Sequence, residues 1–249
     1  MKSFYQLEVP VYNIESALAA YTGGADRLEL CASPAEGGIT PSYAMIEYVK
    51  KNVPIPVNVM IRPRGGDFLY SDDEFEIMKK DIEICKSLGV NGVVFGILLP
   101  NGNIDRNRCK ELVALSQPLT TTFHRAIDRC AAPLKALEDI IDCGFERILT
   151  SGQHNKAIDG IDLIRQFNAI SNQRIIIMPG SGVNEDNIAE IALKTTCREL
   201  HSSASEKRES AMLFIGNNVS METISYSDNK ITICSEERVR KMKEILSLL

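Results

Sequence analysis

Five short apolar segments of the chain place a polar or ionisable side chain at every second position: Gln6-Leu7-Glu8-Val9, Arg27-Leu28-Glu29-Leu30-Cys31, Asn58-Val59-Met60-Ile61-Arg62, Thr122-Phe123-His124 and Glu199-Leu200-His201. Side chains alternate faces along a strand, so the aliphatic and Phe set of each segment points one way and the polar set the other. The segments recur between amphipathic helical stretches. That arrangement predicts a parallel sheet with its apolar face under the helices and its polar face turned inward. Inward polar groups cost stability unless paired, so a shared central site is the leading expectation.

The stretches between the strands carry helix signals. Asn13 caps a helix with Ile14, Ala17, Leu18 and Tyr21 at helical spacing, and Gly23-Gly24 stops it. Pro41 opens a second helix to about Lys51. Ser71-Asp72-Asp73-Glu74 is a capping box for a third, whose apolar face is Phe75, Met78, Ile82 and Cys85. The alternation continues with strands at 92–98, 119–124, 147–151, 174–178 and 199–203 and helices at 106–116, 133–143, 157–168 and 185–193. Eight strands and at least seven helices in about 200 residues predict an α/β fold, a (β/α)8 TIM barrel over about 4–204 in a single domain. The C-terminal extension, 205–249, is less regular around Gly216-Asn217-Asn218 and Ser225 to Asn229. It ends in an amphipathic helix begun near Ser235, with Val239, Met242, Ile245, Leu246 and Leu249 on one face. Such a helix serves as an eighth barrel helix, a cover over one end, or a subunit contact.

Composition narrows the function. With 28 basic and 33 acidic residues the net charge is −5, which lacks the footprint of a nucleic-acid binder and favours a metal ion or a small anionic molecule as partner. No apolar run reaches the roughly 20 residues of a membrane span. Seven cysteines show no Cys-x-x-Cys spacing, and the start of the chain has no apolar signal region, so a reduced, cytoplasmic protein is expected.

Active sites of such barrels lie at the C-terminal ends of the strands. Glu8, Glu29, Cys31, Arg62, His124, Ser151 and His201 all fall there on the inward parity. The carboxylates and imidazoles suit acid–base work near neutral pH, or a divalent metal such as Zn²⁺, Mn²⁺ or Mg²⁺, whereas Cu(I) prefers sulfur. Cys31 is the one cysteine at a predicted strand mouth. The loop Met178-Pro179-Gly180-Ser181-Gly182-Val183-Asn184 follows the seventh strand where backbone N–H groups can hold an anion, with Gly180, Ser181 and Gly182 as its turn. Arg62, Arg64 and Arg125 can add charge to such a ligand. Simple turn geometry also accounts for the glycines, and buried salt bridges for single inward charges.

The strings GGADRLELCASPAEGGITPSYAMI from Gly23, VMIRPRGGDFLYSDDEFEIMKKDI from Val59, GVVFGIL from Gly92, TFHRAID from Thr122, RILTSGQ from Arg147, IMPGSGVN from Ile177 and ELHSSA from Glu199 together resemble the CutC family. The likeness spans about 5–204. It implies a TIM barrel, often a homodimer, in the cytoplasm, with a role in copper homeostasis and copper(I) binding through Cys31, helped by His124, His201 or a partner's sulfur. The alternative is a barrel enzyme of unknown reaction, with Glu8 or Glu29 as acid or base, His124 and His201 as proton shuttles or metal ligands, and Arg62 with Gly180 to Gly182 gripping an anion.

Overall fold

The structure, a computed structural model, describes residues 5–214 and 229–249. Eight parallel strands form the centre: β1 (Gln6–Val11), β2 (Arg27–Leu30), β3 (Val57–Met60), β4 (Gly92–Phe95), β5 (Thr120–Phe123), β6 (Arg147–Thr150), β7 (Ile176–Pro179) and β8 (Glu199–His201). The hydrogen-bonded order is β7-β6-β5-β4-β3-β2-β1-β8, and β7 packs beside β8 so that the barrel nearly closes. Gly180 makes that approach possible. A methyl group at this position would stand 2.5 Å from Leu149 Cδ1 and 3.2 Å from His201 Cβ.

Seven helices alternate with the strands: α1 (Ile14–Thr22), α2 (Tyr43–Asn52), α3 (Asp72–Ser87), α4 (Arg106–Ser116), α5 (Pro133–Cys143), α6 (Ile161–Ser171) and α7 (Ile188–Thr195). The caps follow from side-chain chemistry. Asn13 accepts the Ser16 N–H at 2.8 Å, and Ser71 and Glu74 form the reciprocal capping box of α3. The buried face of α1 is Ser16, Ala17 and Ala20, whereas Leu18 and Tyr21 are exposed. Small residues are required there because the Ser16 hydroxyl accepts the Cys234 N–H of a later strand at 3.0 Å. Helix α6 begins at Ile161, later than the spacing predicts, because 151–160 is a loop whose Ala157 N–H donates to Ser181 O.

Beyond the barrel, β9 (Ser205–Glu209) and β10 (Lys230–Cys234) pair antiparallel and lead into α8 (Glu236–Ser247). Val239, Met242 and Leu246 of α8 are buried, and the helix packs between α1 and α7 as the eighth barrel helix. Burying each such side chain stabilises by about 1.5–3 kcal/mol, which ties the extension to the barrel. The expected irregular segments at Gly216-Asn217-Asn218 and Ser225 to Asn229 lie, but for Asn229, outside the described residues. The aliphatic parity of the strands forms the layer between barrel and helices, with Leu7, Val9, Leu28, Leu30, Val57, Val59 and Ile148 fully buried.

Candidate acid–base site at the barrel mouth

The inward parity brings charge into the barrel, and most of it is paired. Arg27 donates through Nε to Glu8 Oε2 at 2.5 Å and through Nη2 to Glu199 Oε2 at 2.7 Å. Arg147 holds the same Glu199 in a two-pronged contact, Nε to Oε2 at 2.6 Å and Nη2 to Oε1 at 3.2 Å. Arg27, Asn58, Arg147 and Glu199 therefore form a buried lower layer. The alternation gives their parity but not their pairing, which depends on the stagger between strands.

Above that layer His201 lies between two carboxylates. Its Nδ1 is 2.9 Å from Glu8 Oε1, and its Nε2 is 4.0 Å from Glu29 Oε2. Burial opposes ionisation of Glu8, but Arg27 and the His201 hydrogen bond outweigh it and hold this carboxylate well below its ordinary range. Burial pushes Glu29 the other way, from 4.5 up to about 7, with Glu8 adding to the rise. Burial also disfavours charge on His201, yet the Glu8 hydrogen bond and both carboxylates raise its pKa above 6.5. Glu29 and Asn58 are partners across the β2–β3 ladder, and Glu29 Oε1 and Asn58 Oδ1 are both buried acceptors without a donor.

His124 follows β5 and behaves differently. The Ala126 N–H donates to its Nδ1 at 3.3 Å, which leaves the ring proton on Nε2, a buried donor without a partner. Burial, reinforced by the Arg62 charge, lowers its pKa to about 3, so the ring is neutral. Because β3 ends at Met60, Arg62 turns from the strand and clamps the two glycine-rich loops. Its Nη1 donates to Glu36 O and Gly38 O at 2.7 and 2.9 Å and its Nη2 to Gly66 O at 2.9 Å, while Nε is buried without a partner. Burial pushes the Tyr70 hydroxyl up to about 12, and the Arg62 guanidinium, which lies in hydrogen-bonding reach of it, opposes that rise.

A cavity of about 610 Å³ opens at the mouth. Glu29, Arg62, His124, Arg125, Ser181, Gly182 and His201 line it, together with Arg129 and His154. Glu8, Cys31, Arg64, Ser151 and Gly180 do not line it, although Glu8 and Ser151 touch lining residues, His201 and Arg125. Arg64 is instead engaged by Glu74 at 2.6 Å and Asp67 at 3.1 Å. The Ser151 hydroxyl contacts Asp128 and His154 O, and Arg125 pairs with Asp128 at 2.9 Å. Arg129 has no ion pair or hydrogen bond among the described residues. Sequence reasoning missed it because it sits beyond β5, where strand parity no longer applies.

Two donor sets could hold a metal. Glu8, Glu29 and His201 each bring a ligand atom within 4.8 Å of the others, an oxygen and nitrogen set suited to a divalent ion. Cys31 and Met60 offer sulfur, since a methyl group at Gly38 would stand 3.2 Å from Cys31 Sγ and 3.6 Å from Met60 Cε. That pair fits Cu(I) in donor type once Cys31 loses its proton. The loss is opposed by burial and by Glu29, which hold the thiol well above 9.0.

Residues 5–206 match the model of the CutC family. The chain belongs to the CutC family. It is 45% identical over 242 residues to the mouse copper homeostasis protein cutC homolog, covering 97% of this chain and 89% of the relative. It is 48% identical over 237 residues to a family protein CutC of Bacteroides thetaiotaomicron, covering 94% and 95% of the two chains. The crystal structure of a copper homeostasis protein CutC from Streptococcus agalactiae superposes with a TM-score of 0.76 at 34% identity, covering 80% of this chain and 98% of that one. A barrel with helix–strand alternation is thus the CutC architecture, and the polar mouth occupies its C-terminal end. No helix among the described residues is long and apolar enough to cross a membrane.

Proposed function

We propose that the barrel mouth carries out acid–base chemistry on a small anionic molecule, with Glu29 and His201 as the proton-transfer pair and Glu8 orienting His201. The observation that carries this reading is the polarity of one cavity. Glu29 and His201 stand on the β2 and β8 side, while Arg125, Arg129 and His154 stand on the loops after β5 and β6, across the barrel. A carboxyl raised to about 7 beside an imidazole, facing the unpaired guanidinium of Arg129, is a layout for proton transfer within a ligand anchored by its anionic end. Asp128 does not cancel that charge at Arg129, because its oxygens are taken by Arg125, Thr150, Ser151 and Gln153.

The test is a thermal-shift screen of phosphorylated and carboxylated metabolites. Stabilisation by at least one anion, reduced in Arg129→Ala, is expected; a panel without effect on the wild-type protein would sink the anion part of the reading.

A second reading, copper(I) handling, is favoured by a separate observation: Cys31 and Met60 are buried together with Val94. The mouse relative's name brings copper homeostasis to this chain in the same sense. A divalent ion on Glu8, Glu29 and His201 would compete with the hydrogen bond that Glu8 already makes, which ranks it below both.

A further inference from the structure

We propose that the ligand of the mouth is a small phosphate monoester, its phosphate seated on the consecutive main-chain N–H groups of Gly182 and Val183. The inference rests on the acid–base reading above and narrows its substrate class.

The loop from β7 to α7 ties its carbonyls away from the cavity. Ser181 O accepts the Ala157 N–H at 2.9 Å, and Gly182 O accepts from Asn187 Nδ2 at 2.9 Å. In a planar trans peptide the N–H points opposite the C=O, so the Gly182 and Val183 N–H groups face away from Ala157 and Asn187. Ala157 and Asn187 do not line the cavity, whereas Ser181, Gly182 and Val183 do. The two amides therefore turn toward its open side. Neither has an acceptor among the described residues, although Val183 is only 5% exposed. The backbone N–H of so buried a residue is nearly always paired, which calls for an acceptor from outside the chain. Consecutive amides turned to one side form a concave seat for an anion. The turn that presents them includes Ser181 at φ +80°, a left-handed conformation that costs a serine about 1–3 kcal/mol. Its Oγ donates to Asn155 O at 2.7 Å and helps to hold that conformation.

The seat adjoins the proton-transfer pair. A methyl group at Gly180 would lie 3.3 Å from His201 Cδ2, so the start of the loop packs on the imidazole. Ser202, which follows His201, donates through Oγ to Val183 O at 2.6 Å. His201 Nε2 is in turn 4.0 Å from Glu29 Oε2. The reacting atoms of a seated ligand are then those nearest its ester oxygen. Charge favours phosphate over a monocarboxylate. Arg129 lines the cavity unpaired, and the Lys156 stem packs against Gly182, its Cγ 2.9 Å from the place of an added methyl group. Lys156 has no ion pair among the described residues, and two cations suit a dianion. Of the acidic residues after the loop, Glu185 is engaged by Arg238 at 2.9 Å, and Asp186 does not line the cavity.

The experiment titrates the isotope-labelled chain with inorganic phosphate and with glycerol 3-phosphate, and follows the assigned amide signals by proton–nitrogen NMR. Glycerol is the control. The Gly182 and Val183 amide protons are expected to move downfield and saturate with either phosphate, and to stay in place with glycerol. Asn187→Ala frees Gly182 O, lets that peptide turn, and is expected to weaken phosphate binding about 5-fold. Asn187 is here a positioning residue, and the position of the Val183 amide signal in the free variant reports the turned peptide. Unmoved Gly182 and Val183 signals in the wild-type protein, or equal affinity in Asn187→Ala, overturn the proposal. If Asn187→Ala does not fold, the wild-type titration decides. Thermal stabilisation by carboxylates that Arg129→Ala reduces, with both amides unmoved by phosphate, removes the phosphate seat and leaves the acid–base reading standing. Saturating amide shifts that Arg129→Ala leaves unchanged keep the seat and remove Arg129 as the anchor; neither response removes both.

Discussion

His201 Nδ1 lies 2.9 Å from Glu8 Oε1, and this contact fixes which way the second ring nitrogen faces. With Nδ1 engaged, Nε2 points toward Glu29, so two buried carboxylates in contact with one imidazole acquire opposite proton affinities. Glu8 is the orienter and Glu29 the group that changes state near neutral pH.

A pH dependence of stability follows. Glu29 rises from 4.5 to about 7 on folding, so between those values the native protein binds more protons than the unfolded chain and stability falls as pH increases. The full loss is about 3 kcal/mol, at about 1.4 kcal/mol for each pH unit between the two values. His201, also raised, adds to the fall above 6.5, whereas Glu8, held low, loses its contribution as pH drops below 4.5. Urea midpoints measured across this range should decline toward neutrality. Glu29→Gln should flatten the slope between 4.5 and 7; an unchanged slope would place the titration elsewhere.

Arg27 bridges Glu8 and Glu199 inside the barrel at 2.5 and 2.7 Å. Arg27→Met leaves both carboxylates with one cationic or imidazole partner each and is expected to cost about 3–5 kcal/mol, because buried charge without compensation is expensive. Adding Glu199→Gln to Arg27→Met should recover part of the loss. Denaturant unfolding of the single and double variants measures this directly, and additive losses would contradict the coupling.

The barrel was legible because its signals are periodic. Alternation placed Glu29 and His201 inward, and the Ser71 and Glu74 capping box marked the start of α3 to the residue. What parity could not supply was distance. Arg62 keeps the inward parity of Asn58 and Met60, but β3 ends before it, so most of its donors serve Glu36, Gly38 and Gly66. Arg129 and His154 reach the cavity from loops with no periodic signal. The apolar face predicted for α1 holds at Ile14 and Ala17 but not at Leu18 and Tyr21, for a related reason: the Cys234 strand, more than 200 residues later, packs on the small side of that helix.

The extension docks closely enough for one methyl group to be felt. A side chain at Gly23 would meet Glu236 O and Val239 Cβ, both at 2.7 Å. Gly23→Ala should therefore displace the start of α8 at a cost of about 1–3 kcal/mol. Hydrogen exchange is expected to speed in 236–247 while the barrel strands keep their protection; unchanged exchange in α8 would refute this packing.

The sulfur atoms separate the two functional readings. All seven cysteines are buried and free, and burial raises every one of their thiols, so none should react with a thiol reagent at pH 8 in the native protein and all seven should react in denaturant. Copper(I) has to displace the Cys31 proton against that tendency. If it does so with Met60 as second donor, anaerobic titration with Cu(I) and a competing chelator should give one equivalent bound, lost in Cys31→Ser and weakened in Met60→Leu. Protection of Cys31 from the reagent under mild denaturant should accompany binding, because a coordinated thiolate is no longer a free nucleophile. Binding unaffected by both substitutions would move copper away from β2 and β3 and leave the mouth to its acid–base chemistry.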